Sequence, residues 1–129
     1  MTPVTSAIGL GTIGQVAMNA HDIPRAVAFY RDALGLRLLF EAPPKMAFFD
    51  CGGVRLMLSL PENAEFDHAG SVLYFRVDDI SVAHASLRDR GVSFADEPHL
   101  VARMPDHELW MTFFRDTEGN TLALMAEKR

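Results

Sequence analysis

The chain predicts an α+β fold: two βαβββ modules in tandem, whose strands curve into a mixed sheet around a cavity. Three observations lead there. The first is a repeat, in which Gln15 to Ile23, the helical run Arg25 to Leu34 and Gly35 recur as Val72 to Ile80, the run Ser81 to Arg90 and Gly91. The second is a repeated turn and strand, Asp50-Cys51-Gly52-Gly53-Val54-Arg55-Leu56-Met57 echoed by Asp116-Thr117-Glu118-Gly119-Asn120-Thr121-Leu122-Ala123. The third is the spacing, an offset of 57 residues in the first element and 66 in the second, so the copies differ mainly in loop length. A unit of one helix and a few strands cannot bury its own sheet, so two copies imply one pseudo-symmetric domain over residues 1–129, with modules at about 13–60 and 71–127.

Element by element, Ile13 to Ala20 reads as a strand because Val16, Met18 and Ala20 alternate with Gln15, Ala17 and Asn19. Asp22 stands where an N-cap belongs, Pro24 falls in the first helical turn, and Ala26, Val27, Phe29, Tyr30 and Leu34 recur at helical spacing until Gly35 stops the run. Leu36 to Glu41 and Lys45 to Phe49 are strands on either side of Pro43-Pro44, and Gly52-Gly53 turns the chain into the strand Val54 to Leu60. Pro61 to Gly70, rich in charge and turn formers, links the copies. The second copy runs through a strand at Val72 to Val77, a helix from Ile80 to Arg90 capped by Asp79 and stopped by Gly91, and strands at Val92 to Ala95, Leu109 to Arg115 and Thr121 to Ala126.

Composition narrows the function. With 129 residues the chain fits one domain, which buries roughly two-thirds of its unfolded surface. Hydrophobic residues make up 49%, yet no apolar run approaches the roughly 20 residues of a membrane span. A net charge of −5 and the lack of a Lys/Arg cluster argue against nucleic acid. Gly9 to Gly14 spells GxGxxG but precedes the first strand, so it is a flexible lead-in and not a phosphate loop. Met1 to Gly14 has no cationic, cleavable leader, and the lone Cys51 cannot form an intrachain disulfide, so a reducing cytoplasm is expected.

The βαβββ pair, with Phe29-Tyr30-Arg31-Asp32-Ala33-Leu34-Gly35-Leu36 in the first helix and Phe114-Arg115-Asp116-Thr117-Glu118-Gly119-Asn120 in the last hairpin, resembles the vicinal oxygen chelate superfamily. That superfamily includes glyoxalase I, extradiol dioxygenases and bleomycin-resistance proteins. The resemblance implies homodimers, a glyoxalase-like fold and, in metal-using members, ligands at four places that fall here on Gln15, Met57, Val72 and Ala123. Gln15 alone has an oxygen to give, and hard divalent ions require several oxygen or imidazole donors. The expectation is therefore no metal cofactor. His21, His68, His84, His99 and His107 match no compact ligand motif, although His99 and His107 flank Leu100 to Asp106, a segment that in this family type passes the cavity mouth.

Strand alternation then picks out a cavity lining. Ala17, Asn19, Arg55, Ser59, Tyr74, Arg76, Thr121 and Met125 share a face with the four counted positions, and the last hairpin sets Met111 and Phe113 opposite Met125 and Ala123, with Leu109 on that face and Trp110 on the other. A slip of one residue exchanges Met111 and Phe113 for Trp110, Thr112 and Phe114. Arg55 and Arg76, on an otherwise apolar face, need carboxylate partners or water. The candidate ligand-binding residues are Gln15, Arg55, Met57, Tyr74, Arg76, Arg103, His107, Met111, Phe113 and Ala123. His107, beside Asp106 and Glu108, is the acid–base candidate, whereas Cys51 is an incidental thiol. The expected function is metal-independent binding of a small hydrophobic or aromatic ligand. The alternative is a glyoxalase-like lyase or isomerase, or a dioxygenase relative, whose metal Gln15 holds with unusual partners such as His99 or His107.

Overall fold

A computed structural model describes residues 9–129, so Met1 to Ile8 of the expected lead-in lie outside the described residues. Nine strands and two helices follow. In the first module these are β1 (Gln15–Asn19), α1 (Ile23–Ala28, continued by a π-helical turn, Phe29–Ala33), β2 (Arg37–Ala42), β3 (Met46–Cys51) and β4 (Val54–Ser59). The second has β5 (Leu73–Arg76), α2 (Ile80–Asp89), β6 (Ser93–Phe94), β7 (His99–Arg103), β8 (Glu108–Arg115) and β9 (Thr121–Lys128). A short 3-10 turn, Ala64–Phe66, lies in the linker.

The capping residues act as the sequence predicts. Asp22 accepts from the Arg25 amide at 3.0 Å and Asp79 from the Val82 amide at 3.1 Å, satisfying donors that a helix start leaves unpaired. Past Ala28 the first helix widens: Leu34 N donates to Phe29 O, five residues back, at 3.0 Å. Gly52 and Gly53, both at positive φ (62° and 94°), make the two-residue hairpin turn between β3 and β4, a conformation that other residues adopt at a cost.

The strands form two sheets, ordered β1-β4-β3-β2 and β5-β9-β8-β6, with β7 also on β8. Both offsets of the repeat reappear as register. In the first sheet Ala17 pairs with Met57 in the parallel β1–β4 ladder, and in the second Tyr74 pairs with Ala123 in the parallel β5–β9 ladder. The last hairpin pairs Met111 with Met125 and Phe113 with Ala123, and sets Trp110 opposite Ala126, without the one-residue slip. One element differs from the sequence reading. The stretch expected only to pass the cavity mouth contains β7, antiparallel to β8 with His99 opposite Met111, and a register shift between Leu100 and Ala102. The alternation of exposed and half-buried residues along His99–Arg103 fits a strand, but Pro98 before it and Pro105 after it dominate the local signal.

Each helix covers one face of its own sheet, and the two helix-bearing faces merge in one core. Tyr30, Phe49, Leu56 and Leu58 come from the first module, and Ile80, Phe114, Leu122 and Leu124 from the second. Fully burying each large apolar side chain of this kind is worth about 1.5–3 kcal/mol. Among the described residues no helix lies over the opposite face of either sheet, and Phe40, Val72 and Tyr74 are 49%, 40% and 48% exposed.

Candidate functional site

The two sequence signatures meet in the core. Tyr30, with 0% of its surface exposed, donates its hydroxyl to Asp116 Oδ2 at 2.6 Å. Asp116 Oδ1 also accepts from the Glu118 and Asn120 amides, both at 2.8 Å, and Oδ2 from Asn120 Nδ2 at 2.9 Å. Burial, and then the Asp116 charge, pushes the Tyr30 hydroxyl far above its usual range, so it is a proton donor at every physiological pH. Next to it, Glu118 accepts from the His21 and Asp22 amides at 2.8 and 3.1 Å, joining the β8–β9 turn to the start of α1. Desolvation opposes ionisation of Glu118, but those amides and the His21 ring outweigh it and hold its carboxyl below the usual value. These residues fasten one module to the other; none of them is on the open faces.

The open face of the first sheet is ordered in rows by the β1–β4, β4–β3 and β3–β2 registers. Gln15, Arg55 and Asp50 form one row, Ala17, Met57, Phe48 and Phe40 the next, and Asn19, Ser59, Met46 and Ala42 the third. Arg55 Nε donates to Gln15 Oε1 at 2.7 Å, and Gln15 Nε2 faces Met57 Sδ at 3.9 Å. The Arg55 guanidinium lies over the Phe48 ring, 5.2 Å from its centroid, and Phe40 stacks on Phe48 at 4.4 Å. A cleft of about 610 Å³ opens on this face between Asn19, Lys45, Met46, Met57, Ser59, Leu60, Pro61 and Glu62.

On the open face of the second sheet, Tyr74 meets Phe113 edge-on at 6.0 Å, and the His99 ring is 6.5 Å from Phe113. Tyr74 and Phe113 flank Ala123 in the two ladders, and Ala123 is 0% exposed, while His99, Met111 and Met125 continue the face in the next row. Arg76 pairs with Glu127 at 3.5 Å, the carboxylate partner that its position requires. Arg103 and His107 stand apart, in a shallow corner with Asp106, Glu108, Lys128 and Arg129. There Arg103 meets Glu108 at 3.9 Å, and His107 Nδ1 lies 2.7 Å from Asp106, which also takes Arg129 at 2.9 Å. The Met104 amide also donates to the His107 carbonyl there, at 2.8 Å.

Phe48, Phe40 and Met46 on the first sheet's open face, and Lys45 in the β2–β3 turn at its cleft, are residues that sequence reasoning missed. A signal for two of them existed: the Gly52-Gly53 turn fixes Phe48 opposite Met57 and Met46 opposite Ser59 by the same count that placed Met111 and Phe113.

The four counted positions do not suit a divalent ion. The single oxygen among them, Gln15 Oε1, already accepts from a guanidinium, which would set a permanent positive charge against the metal. Met57, Val72 and Ala123 add no hard donor, and among the described residues no group of three or more His, Cys, Asp and Glu side chains is placed to hold a metal. The histidines make other contacts. His99 Nδ1 lies 2.9 Å from Glu97 O, and His84 is buried between Phe94, at 4.3 Å, and Glu97, at 3.3 Å. Burial, helped by Asp50, pushes the Cys51 thiol up, so it is a poor nucleophile near neutrality.

These features define a two-module protein, βαβββ followed by a like unit with the additional strand β7, with open, partly apolar sheet faces. The chain belongs to the Glyoxalase/Bleomycin resistance protein/Dioxygenase superfamily, whose family profile matches residues 12–124. It is 26% identical over 126 residues to the protein YraH of Bacillus subtilis (strain 168), a match covering 85% of this chain and 94% of that one. It is 29% identical over 130 residues to a glyoxylase-like domain-containing protein of Didymella fabae, covering 88% and 92%. The fold matches the crystal structure of lactoylglutathione lyase from Agrobacterium tumefaciens with a TM-score of 0.72, at 24% identity, over 91% of this chain and 94% of that one. An integron cassette protein from the mobile metagenome of V. Cholerae gives a TM-score of 0.75 at 21% identity, over 92% and 97%. Among the described residues no helix is long and apolar enough to cross a membrane.

Proposed function

We propose that this chain is a metal-independent small-molecule-binding member of the superfamily, taking a small hydrophobic or aromatic ligand against its open sheet faces. The observation that carries the reading is the state of Gln15: its only oxygen is committed to Arg55, and the surface around it is Met57, Phe48 and Phe40. Apolar and aromatic side chains beside a few fixed polar groups are the usual make-up of a small-molecule site. A homodimer in the reducing cytoplasm goes with this reading: a second copy laid on these half-exposed faces would enclose a ligand that one copy leaves open to water, and superfamily members are often dimers.

The test is metal analysis of protein purified without chelator, then a thermal-shift screen of aromatic and aliphatic compounds, with sedimentation to give the oligomeric state. The expected result is substoichiometric metal, no change in melting temperature on adding Ni, Zn, Mn or Fe, and stabilisation by aromatic compounds. A stoichiometric divalent ion that Gln15→Ala removes would sink the proposal and restore a glyoxalase-like or dioxygenase-like chemistry.

A further inference from the structure

Of the three arginines singled out for the site, Arg55 alone has no carboxylate partner among the described residues. Arg76 has Glu127 and Arg103 has Glu108. The cross-strand neighbour of Arg55 is Asp50, but that carboxylate accepts from the Gly53 amide at 3.0 Å and closes the hairpin turn instead. Arg55 is nevertheless held in place. Its Nε is bound to Gln15 Oε1 at 2.7 Å, and its plane lies over Phe48. With Nε committed, the two terminal nitrogens form the end-on pair that matches the two oxygens of a carboxylate. Fixing the fork in advance lowers the entropy lost when an anion binds.

An apolar platform begins beside this fork. Phe48 is 9% exposed, confined between Arg55 and the stacked, half-exposed Phe40, and Met57 carries the surface on into the cleft. A guanidinium at the edge of a ring-and-thioether surface recognises a flat apolar body with a single negative charge at one end. A cation would be repelled there. A neutral ring would use the platform and leave the fork to water.

We propose that this face binds a small aromatic carboxylate, with Arg55 receiving the carboxylate end-on, Phe40 and Met57 taking the ring, and Phe48 supporting both from beneath. A fixed organic cation then stands beside the position where metal-using relatives are expected to place an ion. The proposal rests on the metal-independent reading above and names the ligand class for the same site.

The experiment is calorimetric titration of the full-length protein with 2-naphthoate and with its neutral counterpart 2-naphthylmethanol, with and without added Mn. Wild type, Arg55→Met, Arg55→Lys and Gln15→Ala are compared, and the melting temperature of each variant is used to check folding. Naphthoate should bind wild type about tenfold or more tighter than the alcohol, the scale of one charge-assisted hydrogen-bonded pair. Arg55→Met should bring naphthoate down to the affinity of the alcohol. Arg55→Lys, which keeps the charge but loses the fork, should fall between, and Gln15→Ala should weaken naphthoate alone. Equal affinities in wild type, or naphthoate binding that survives Arg55→Met, overturns the carboxylate assignment and leaves the hydrophobic-ligand reading standing. Failure of both probes to bind also overturns it. A stoichiometric divalent ion required for naphthoate binding removes both proposals.

Discussion

Replacing Tyr30 by Phe tests whether the most recognisable part of the sequence is structural. The ring is completely buried and Phe occupies the same space, so no cavity forms; what is lost is one hydroxyl and its 2.6 Å bond to Asp116. A buried hydrogen bond to a charged acceptor is worth about 1.5–3 kcal/mol. The value should fall near the middle, about 2 kcal/mol, because Asp116 keeps its amide donors at Glu118 and Asn120 and stays partly satisfied. For a chain of 129 residues this corresponds to a melting point lower by roughly 6–10 °C. Asp116→Ala should cost more, since it orphans the Tyr30 hydroxyl and undoes the β8–β9 turn at once. Denaturant unfolding of both variants and the double variant gives the coupling directly. A melting-point shift in Tyr30→Phe of less than about 2 °C, or a coupling near zero, would refute the view that the two signatures form one stabilising joint.

Two further expectations concern stability. Both ring nitrogens of His21 face carboxylates, Asp67 at 2.9 Å and Glu118 at 3.2 Å, so its value is raised, by the Asp67 bond first and then by Glu118. Its stabilisation is therefore complete below the unfolded value of 6.5 and is lost as pH rises through the raised folded value. Glu118 behaves oppositely: its folded value is depressed, so its contribution is present above 4.5 and fades as pH falls. The gap between the denaturation midpoints of wild type and His21→Ala should be widest between these limits and close in alkali; a constant gap contradicts it. On the sheet, Phe49→Ala removes a ring that is 0% exposed and should cost about 3–5 kcal/mol. Phe40→Ala, from a half-exposed ring on the other face, should cost less than about half of that and show itself in aromatic-ligand affinity, so equal destabilisation by the two would mean that the faces have been misassigned.

Most of the fold was legible because its signals are local. Asp22 and Asp79 cap, Gly35 and Gly91 stop the helices, and period-two alternation assigns each strand's faces. Hairpin counting carried this one step further, giving the β8–β9 pairing with a one-residue slip as the alternative, and the structure has the counted pairing. The strand His99–Arg103 was missed because it depends on β8 for its hydrogen bonds, and a short polar-apolar alternation between prolines resembles an ordinary loop. The widening of α1 at Phe29 was likewise invisible, since the same helical spacing serves both turns.

Sequence alone determined the two-module scaffold and part of each open face, because these follow from residue type and spacing along the chain, and the family resemblance added four counted positions of which three carry no hard donor. Only the tertiary structure decided how those residues are used. Arg55 and Arg76 look equivalent in the sequence, yet Glu127 reaches one while the hairpin turn draws Asp50 away from the other. Tyr30 and Asp116 lie 86 residues apart and look like separate motifs until the core brings them together. Partner choice is a matter of distances between distant segments, set by how the two sheets close on one core and not by any local pattern.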